Sequence, residues 1–326
     1  MTPLVSVVMA TYNGEQFIKE AIASVLEQTL KDFEFIIVDD GSTDTTAQII
    51  NTFEDNRIQY LKKEKNSGIA DSLNLGISRA KGNYIARMDD DDVCMPNRFK
   101  EQLKILEKNS GIILCGTGVN LIDGKTKMNP EHSKDIKMQM LFSNAITHPT
   151  VMIRKEALIG YKYKPNKVPS EDYDLWSRLI WKGEFYNIQT PLLFYRYLKT
   201  SETSTRRQDQ LQLNVSISKF MFEKAGFIDL PNSNENIRIF ASRDYSISGK
   251  QLRGLIKWFE DLKTFKANNN KFPSEKFNIL VNVNLEQFLI SFFTNQRIIN
   301  KIKPFFNLNF YNKKLILNYY FNKLHH

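Results

Sequence analysis

Residues 5–41 read VSVVMATYNGEQFIKEAIASVLEQTLKDFEFIIVDDG: an apolar run, a stretch with apolar residues at three- and four-residue spacing, then a second apolar run ending in two carboxylates. This is the pattern of a buried strand, an amphipathic helix and a second buried strand, the βαβ unit. The same rhythm continues outward. A helix is expected to start near Asp44, followed by a weak strand at 58–62, the helical GIADSLNLGISRA, the strand YIARM at 84–88, a helix from Pro96 to Lys108 and the strand GIILCGTG. Strands almost continuous in Val, Ile and Phe, alternating with helices, predict an α/β fold with a mostly parallel central sheet covered by helices on both faces. Beyond Gly124 the pattern loosens through GKTKMNPEHSKD. It then gives a strand HPTVMIRK, a helix EDYDLWSRLIWKG, a strand LLFYRYL and, from about Arg206, a mainly helical C-terminal extension.

The 326 residues carry a formal net charge of +9, unevenly spread. Residues 1–200 hold 26 Lys and Arg against 26 Asp and Glu, whereas residues 201–326 hold 19 against 10. Residues 287–326 contain six basic side chains and no acid, interleaved with Phe305, Phe306, Phe310, Tyr311, Tyr319, Tyr320 and Phe321. A basic, aromatic end suits an anionic membrane surface, although the aromatics could equally pack on the body and leave the lysines in water. No nucleic-acid-binding motif accompanies the charge, so no nucleic acid is expected as a partner. The two cysteines, Cys94 and Cys115, are too few for a disulfide framework and lack metal-ligand spacing, which fits a reducing compartment. The opening MTPLVSVVMATYNG lacks a basic n-region before a long apolar stretch, and no run approaches the roughly 18–20 apolar residues of a spanning helix. A cytoplasmic protein is expected, peripheral on the inner face of the cytoplasmic membrane if its basic end binds there.

In open α/β sheets, ligands bind beyond the carboxyl ends of the strands. Three of those ends are polar: Thr11-Tyr12-Asn13, Asp39-Asp40-Gly41-Ser42 and Asp89-Asp90-Asp91-Asp92. Four adjacent carboxylates repel one another unless a cation balances them, and hard divalent ions take oxygen ligands. The plainer alternative is an acidic turn favouring the N-terminus of the helix at Pro96. Asp44 can cap the helix that follows it, which leaves Asp40 as an acceptor at the strand end, and Tyr12 could stack on a base. No GxxxxGK[ST] loop is present, and Leu121 stands where a dinucleotide fingerprint would need its third glycine.

Together VSVVMATYNG, SVLEQT, FIIVDDGSTD, NSGIADSLNLGISRAKGNYIARMDDDD and MPNRF resemble the nucleotide-sugar half of family 2 glycosyltransferases, which have the Rossmann-like GT-A fold. The resemblance covers roughly the first 110 residues in order and spacing. It implies Mn²⁺ or Mg²⁺ held by Asp89 and Asp91 against a donor diphosphate, with Asp92 a candidate site-lining residue. It also implies a nucleoside site formed by Ala10, Thr11, Tyr12, Asn13, Asp40, Gly68 and Asp90. Asp90 stands where the family often has a small residue. ITHPTVMIRK and SEDYDLWSRL resemble the acceptor-side segments, which implies Asp172 as the catalytic base beside Glu171; Ser170 and the acids could instead simply cap their helix. Helical spacing puts Asp172, Trp176 and Leu179 on one side. His148 is a candidate lining residue, though a histidine before proline is often structural.

The implied activity is inverting, metal-dependent transfer of one sugar, with UDP-linked donors favoured. The acceptor would be a saccharide or a lipid-linked saccharide precursor of capsule, O-antigen or exopolysaccharide. The Gln-X-X-Arg-Trp segment of processive relatives is missing. A non-catalytic subunit binding nucleotide or saccharide is the competing reading, against which the retention of Asp91 and Asp172 argues. The expected organisation is a GT-A domain over 1–204, with a nucleotide-sugar half (1–110) and an acceptor half (111–204), and a basic helical region over 205–326.

Overall fold

The computed structural model describes residues 2–198, 205–265 and 274–295, with Phe272, Phe305, Leu308, residues 312–317 and Tyr319. Two compact units are present, one comprising Met1–Lys137 and Asn144–Gln210, the other Met138–Ser143 and Leu211–His326.

In the first unit the elements run β1 (Val5–Thr11), α1 (Ile18–Leu26), β2 (Phe33–Asp39), α2 (Thr46–Ile50), β3 (Ile58–Lys62), α3 (Ile69–Arg79), β4 (Tyr84–Met88), β5 (Val93–Cys94) and α4 (Arg98–Lys108). They continue with β6 (Ile112–Leu121), β7 (Thr126–Lys127), α5 (Ser133–Gln139), β8 (Met152–Arg154), α6 (Glu171–Leu179) and β9 (Glu184–Tyr195). One sheet takes all nine strands in the order β3-β2-β1-β4-β8-β6-β9-β5, with β7 paired to β6. The half built from β1 to β4 is parallel. Beyond β4 the sheet is mixed: β8 runs antiparallel to β4 and β6, while β6 and β9 are parallel.

Every residue of β1, β2 and β4 is buried, as a central strand covered on both faces requires. Two polar groups inside this layer satisfy each other. Ser6 Oγ donates to Glu34 Oε1 at 2.6 Å, and Glu34 also accepts from the Lys81 N–H and Gln59. Helix α3 lies close against the sheet because position 76 is glycine: a Cβ there would stand 2.6 Å from Val8 Cγ1. The parallel half therefore delivers the ends of β1, β2 and β4 side by side, with β1 in the middle.

Some elements differ from the sequence expectation. Helix α4 starts at Arg98, with Pro96 and Asn97 in the turn before it. HPTVMIRK splits into a short 3-10 turn at His148–Thr150 and the three-residue β8. LLFYRYL is the end of a longer strand, β9, which bulges against β6. Cys94 and Cys115 are buried, and burial pushes both thiols above their ordinary range.

The second unit contains most of α7 (Arg207–Ala225), then α8 (Ser233–Ala241), α9 (Gly249–Thr264) and α10 (Ser274–Asn295). Its core is aromatic: Trp258 packs on Phe222 and Phe259, and Phe142 meets Phe222, Phe240 and Phe259. A capping box opens α9, with Ser248 Oγ accepting from the Gln251 N–H and Gln251 Oε1 accepting from the Ser248 N–H. Among the described residues, no helix is long and apolar enough to cross a membrane. The basic end at 287–326 lies partly outside the described residues; within them Phe288, Leu289, Phe292, Phe293, Leu308 and Ile316 are buried.

Candidate active site

The turn between β4 and β5 carries the four acids. Asp89, Asp91 and Asp92 each place a carboxylate oxygen within 4.8 Å of the others. Asp89 is paired with the Arg87 guanidinium. Asp90 points the other way, accepting from Thr11 Oγ1 at the end of β1. Gly14 makes that approach possible, since a Cβ there would collide with Asp90 and lie 2.7 Å from Thr11 Oγ1. The carboxylate of Asp92 is fully buried; Oδ1 accepts the Arg196 N–H at 2.9 Å and Oδ2 has no hydrogen-bond partner. Burial and the charge of Asp89 push Asp90 up to about 6, Asp91 up to about 7 and Asp92 well above the ordinary range, with Arg87 opposing the rise. A cluster of hard oxygen donors with an unsatisfied buried oxygen fits Mg²⁺ or Mn²⁺. Asp92, expected from the sequence as a candidate site-lining residue, stands with Asp89 and Asp91 in the triad.

The β1 and β2 ends form a second wall. Asn13 adopts a left-handed backbone (φ 53°). Its N–H donates to Ser42 Oγ at 2.9 Å and its Oδ1 accepts from the Thr43 N–H at 2.9 Å, tying the two strand ends together. Tyr12 is exposed beside this junction. Asp40 differs from the free acceptor the sequence suggests. It is 3% exposed, and Lys63 Nζ, the Ser67 N–H and the Gly68 N–H all donate to it because the loop before α3 folds back over the end of β2. Gly68 allows this turn, with φ of 93°. Asp44 accepts from the Thr46 N–H at the start of α2, but from one residue before the N-cap, which is Thr45 and not Asp44 as expected.

On the third side, α6 begins with Glu171 and Asp172. Asp172 Oδ2 accepts from Asn144 Nδ2 at 2.8 Å and Oδ1 from the Tyr173 N–H at 2.6 Å. Burial outweighs these bonds and raises Asp172 to about 6; burial, with Oε2 unpartnered and Asp172 beside it, raises Glu171 as well. Ser170 makes no side-chain cap on α6, which removes the purely local reading of that residue. Trp176 and Leu179 are buried on the helix face that the spacing predicts. His148 Nε2 lies 2.9 Å from Tyr163 Oη, and its ring packs against Tyr163 and Trp176. Burial and the Arg87 charge hold it far below the ordinary histidine range, so it is a neutral packing residue at neutral pH.

Arg87 connects these walls electrostatically. It stabilises the charged forms of Asp90, Asp91, Asp92, Glu171 and Asp172, whereas Asp89 disfavours them on all five. Its Nε and Nη2 are buried without partners. The sequence reading missed Arg87, Asn144, Lys63 and Arg196. Only the Arg within YIARM left a trace, as a charge inside an otherwise apolar strand.

A Rossmann-like sheet with an acid turn at its strand ends and a helix-borne carboxylate is the layout of a GT-A scaffold. Residues 6–167 match the family described as Glycosyl transferase family 2. An uncharacterized glycosyltransferase of Methanocaldococcus jannaschii is 39% identical over 205 residues, 60% of this chain and 71% of that protein. The amylovoran biosynthesis glycosyltransferase AmsE of Erwinia amylovora is 31% identical over 234 residues, 68% of this chain and 88% of that one. The structure of S. aureus TarS 1-349 in complex with UDP-GlcNAc superposes with a TM-score of 0.59 at 17% identity, covering 98% of this chain and 92% of that one. The chain belongs to family 2 of the glycosyltransferases and is an enzyme of that class.

Proposed function

We propose that this enzyme transfers a single sugar, with inversion, from a UDP-linked donor to a saccharide acceptor in the assembly of a bacterial surface polysaccharide. The observation that carries this reading is the presence of a partly protonatable carboxylate, Asp172, on a rigid helix start in the same electrostatic field as the Asp89-Asp91-Asp92 triad. The UDP assignment is supported by the UDP-GlcNAc held by TarS, and the acceptor class by the amylovoran role in the name of AmsE.

In this mechanism Ala10–Asn13 and the Gly68 loop, which Asp40 holds in place, enclose the nucleoside, with Tyr12 as its stacking face. Asp90 braces this wall through Thr11. Asp89, Asp91 and Asp92 would hold Mg²⁺ or Mn²⁺, which when bound supplies positive charge for the departing diphosphate. Asp172 takes the proton of the acceptor hydroxyl as that oxygen bonds to the anomeric carbon and the bond from that carbon to the diphosphate oxygen breaks. Asn144 and the Tyr173 N–H orient the base. Glu171, raised by burial and by Asp172 beside it, lines the acceptor side. One base and one displacement give inversion, with no covalent sugar intermediate.

A lipid-linked acceptor would place the enzyme at the inner face of the cytoplasmic membrane, which the basic 287–326 segment supports. Truncation at 287 would remove buried Phe288, Leu289, Phe292 and Phe293, so charge reversal is the cleaner probe. Lys313→Glu with Lys314→Glu should lose cosedimentation with phosphatidylglycerol vesicles, and retention would refute the membrane assignment. The transfer reading is tested by a panel of UDP- and GDP-sugars with Mn²⁺: metal-dependent donor binding and hydrolysis are expected for a UDP-sugar. Binding without turnover on any acceptor would point instead to a non-catalytic subunit.

A further inference from the structure

Packing four carboxylates into one turn needs more than a cation, because the turn must also keep its shape when the ion is absent and the charges repel. At the end of β9, Arg196 contacts this turn by two routes and α1 by a third. Its backbone N–H donates to Asp92 Oδ1 at 2.9 Å, its Nη1 donates to the Asp91 carbonyl at 2.6 Å, and its Nη2 pairs with Glu20 Oε2 of α1 at 2.5 Å. The guanidinium lies over the ring of Phe17, 4.7 Å from its centroid, and is 11% exposed. It therefore cannot swing away without losing an ion pair, a ring contact and a backbone bond together.

We propose that Arg196 is a positioning residue that fixes the acid turn, with Glu20 as the anchor of its guanidinium. Its backbone N–H occupies one oxygen of Asp92, so the other is the unpartnered one. Its side chain pins the peptide of Asp91, which sets the direction of the Asp91 side chain. The planar fork does this with two nitrogens at once, one on the turn and one on α1, and a lysine ammonium has no equivalent geometry. Glu20, Phe17, Arg196 and the Asp91-Asp92 peptide thus join α1, β9 and the β4–β5 turn, three elements distant in sequence. No acid of the triad is replaced by this contact; it acts on ligands that others supply.

The proposal rests on the reading of the triad as a divalent-ion site, and calorimetry separates the two. Wild-type protein should bind Mn²⁺, and failure to do so overturns the ion site itself. Given wild-type binding, Arg196→Ala should weaken Mn²⁺ affinity by about 10–100-fold, the range for residues that orient metal ligands. Arg196→Lys should recover only part of the loss, and Glu20→Gln should fall between wild type and Arg196→Ala. Should Arg196→Ala unfold, the Lys and Glu20→Gln variants carry the test. Unchanged Mn²⁺ affinity in a folded Arg196 variant, whatever its thermal stability, would overturn the positioning role. A drop in melting temperature with affinity intact would mean that Arg196 only ties β9 to α1.

Discussion

Asn144 and Asp172, separated by 28 positions in sequence, meet through a 2.8 Å hydrogen bond that leaves the carboxylate with a fixed orientation at the first turn of α6. The Tyr173 N–H holds the other oxygen. An ionised acid so held, but partly desolvated, is a base whose strength is set by the balance of burial against these two donors.

Replacing Asp172 with Asn keeps the size and removes the base. Transfer should fall by roughly 10²–10⁴-fold in kcat, while UDP and Mn²⁺ affinities stay close to wild type. Parallel calorimetry and turnover measurements check this, and a turnover near wild type would assign the base elsewhere.

The pH profile follows from the same residue. Asp172 must be ionised to accept a proton, and its carboxyl is raised to about 6, so kcat/KM should climb as pH rises through about 6 and then level off. Asn144→Ala removes a bond that favours the charged form, so the rise should move to higher pH. A profile unmoved by that change would separate Asn144 from the titrating group.

Asp90 and Asp91 titrate in the folded chain at about 6 and about 7, above their ordinary 3.8. Groups raised in this way support the folded state fully below the ordinary value and lose that contribution as pH rises through the folded value. In EDTA the melting temperature should therefore decline between pH 5.5 and pH 8. Added Mn²⁺ should raise it more at pH 8, where fewer protons compete for the same oxygens. Equal gains at both values would mean that the ion binds elsewhere.

Neighbouring acids should separate by role. Asp91→Ala is expected to cost at least about tenfold in Mn²⁺ affinity. Asp90→Ala, which loses its bond to Thr11, should leave the ion nearly unaffected and weaken UDP binding. The reverse ranking by calorimetry would exchange the two assignments.

In the second unit, Phe142 contributes one ring to a cluster with Phe222, Phe240 and Phe259. Phe142→Ala should cost about 3–5 kcal/mol, as for other buried aromatic truncations. Urea unfolding followed by the fluorescence of Trp258, in the same core, would register it.

The parallel half of the fold was legible because β1, β2 and β4 are buried on both faces and their composition says so directly. The mixed half was less so: β8 is only three residues long, and β9 carries Pro191 at a bulge against β6, which blurs any strand signal. At the site, acids at strand ends announced themselves by position. Their supports did not. Arg87 and Arg196 look like ordinary strand charges until pairing places one beside Asp89 and the other under Asp91 and Asp92. Asn144 lies in an irregular stretch with no periodicity to mark it, and Asp40 looked free because the return of the Gly68 loop is a tertiary event.

Cys94 and Cys115 lie inside the first unit with their thiols held away from the reactive thiolate form at neutral pH. The wild-type chain is consequently a quiet background for site-directed labelling. A cysteine introduced at an exposed position such as Ile122 or Ile159 should react alone with a maleimide or spin probe, allowing motion of those loops to be followed spectroscopically without first stripping out the native sulfurs.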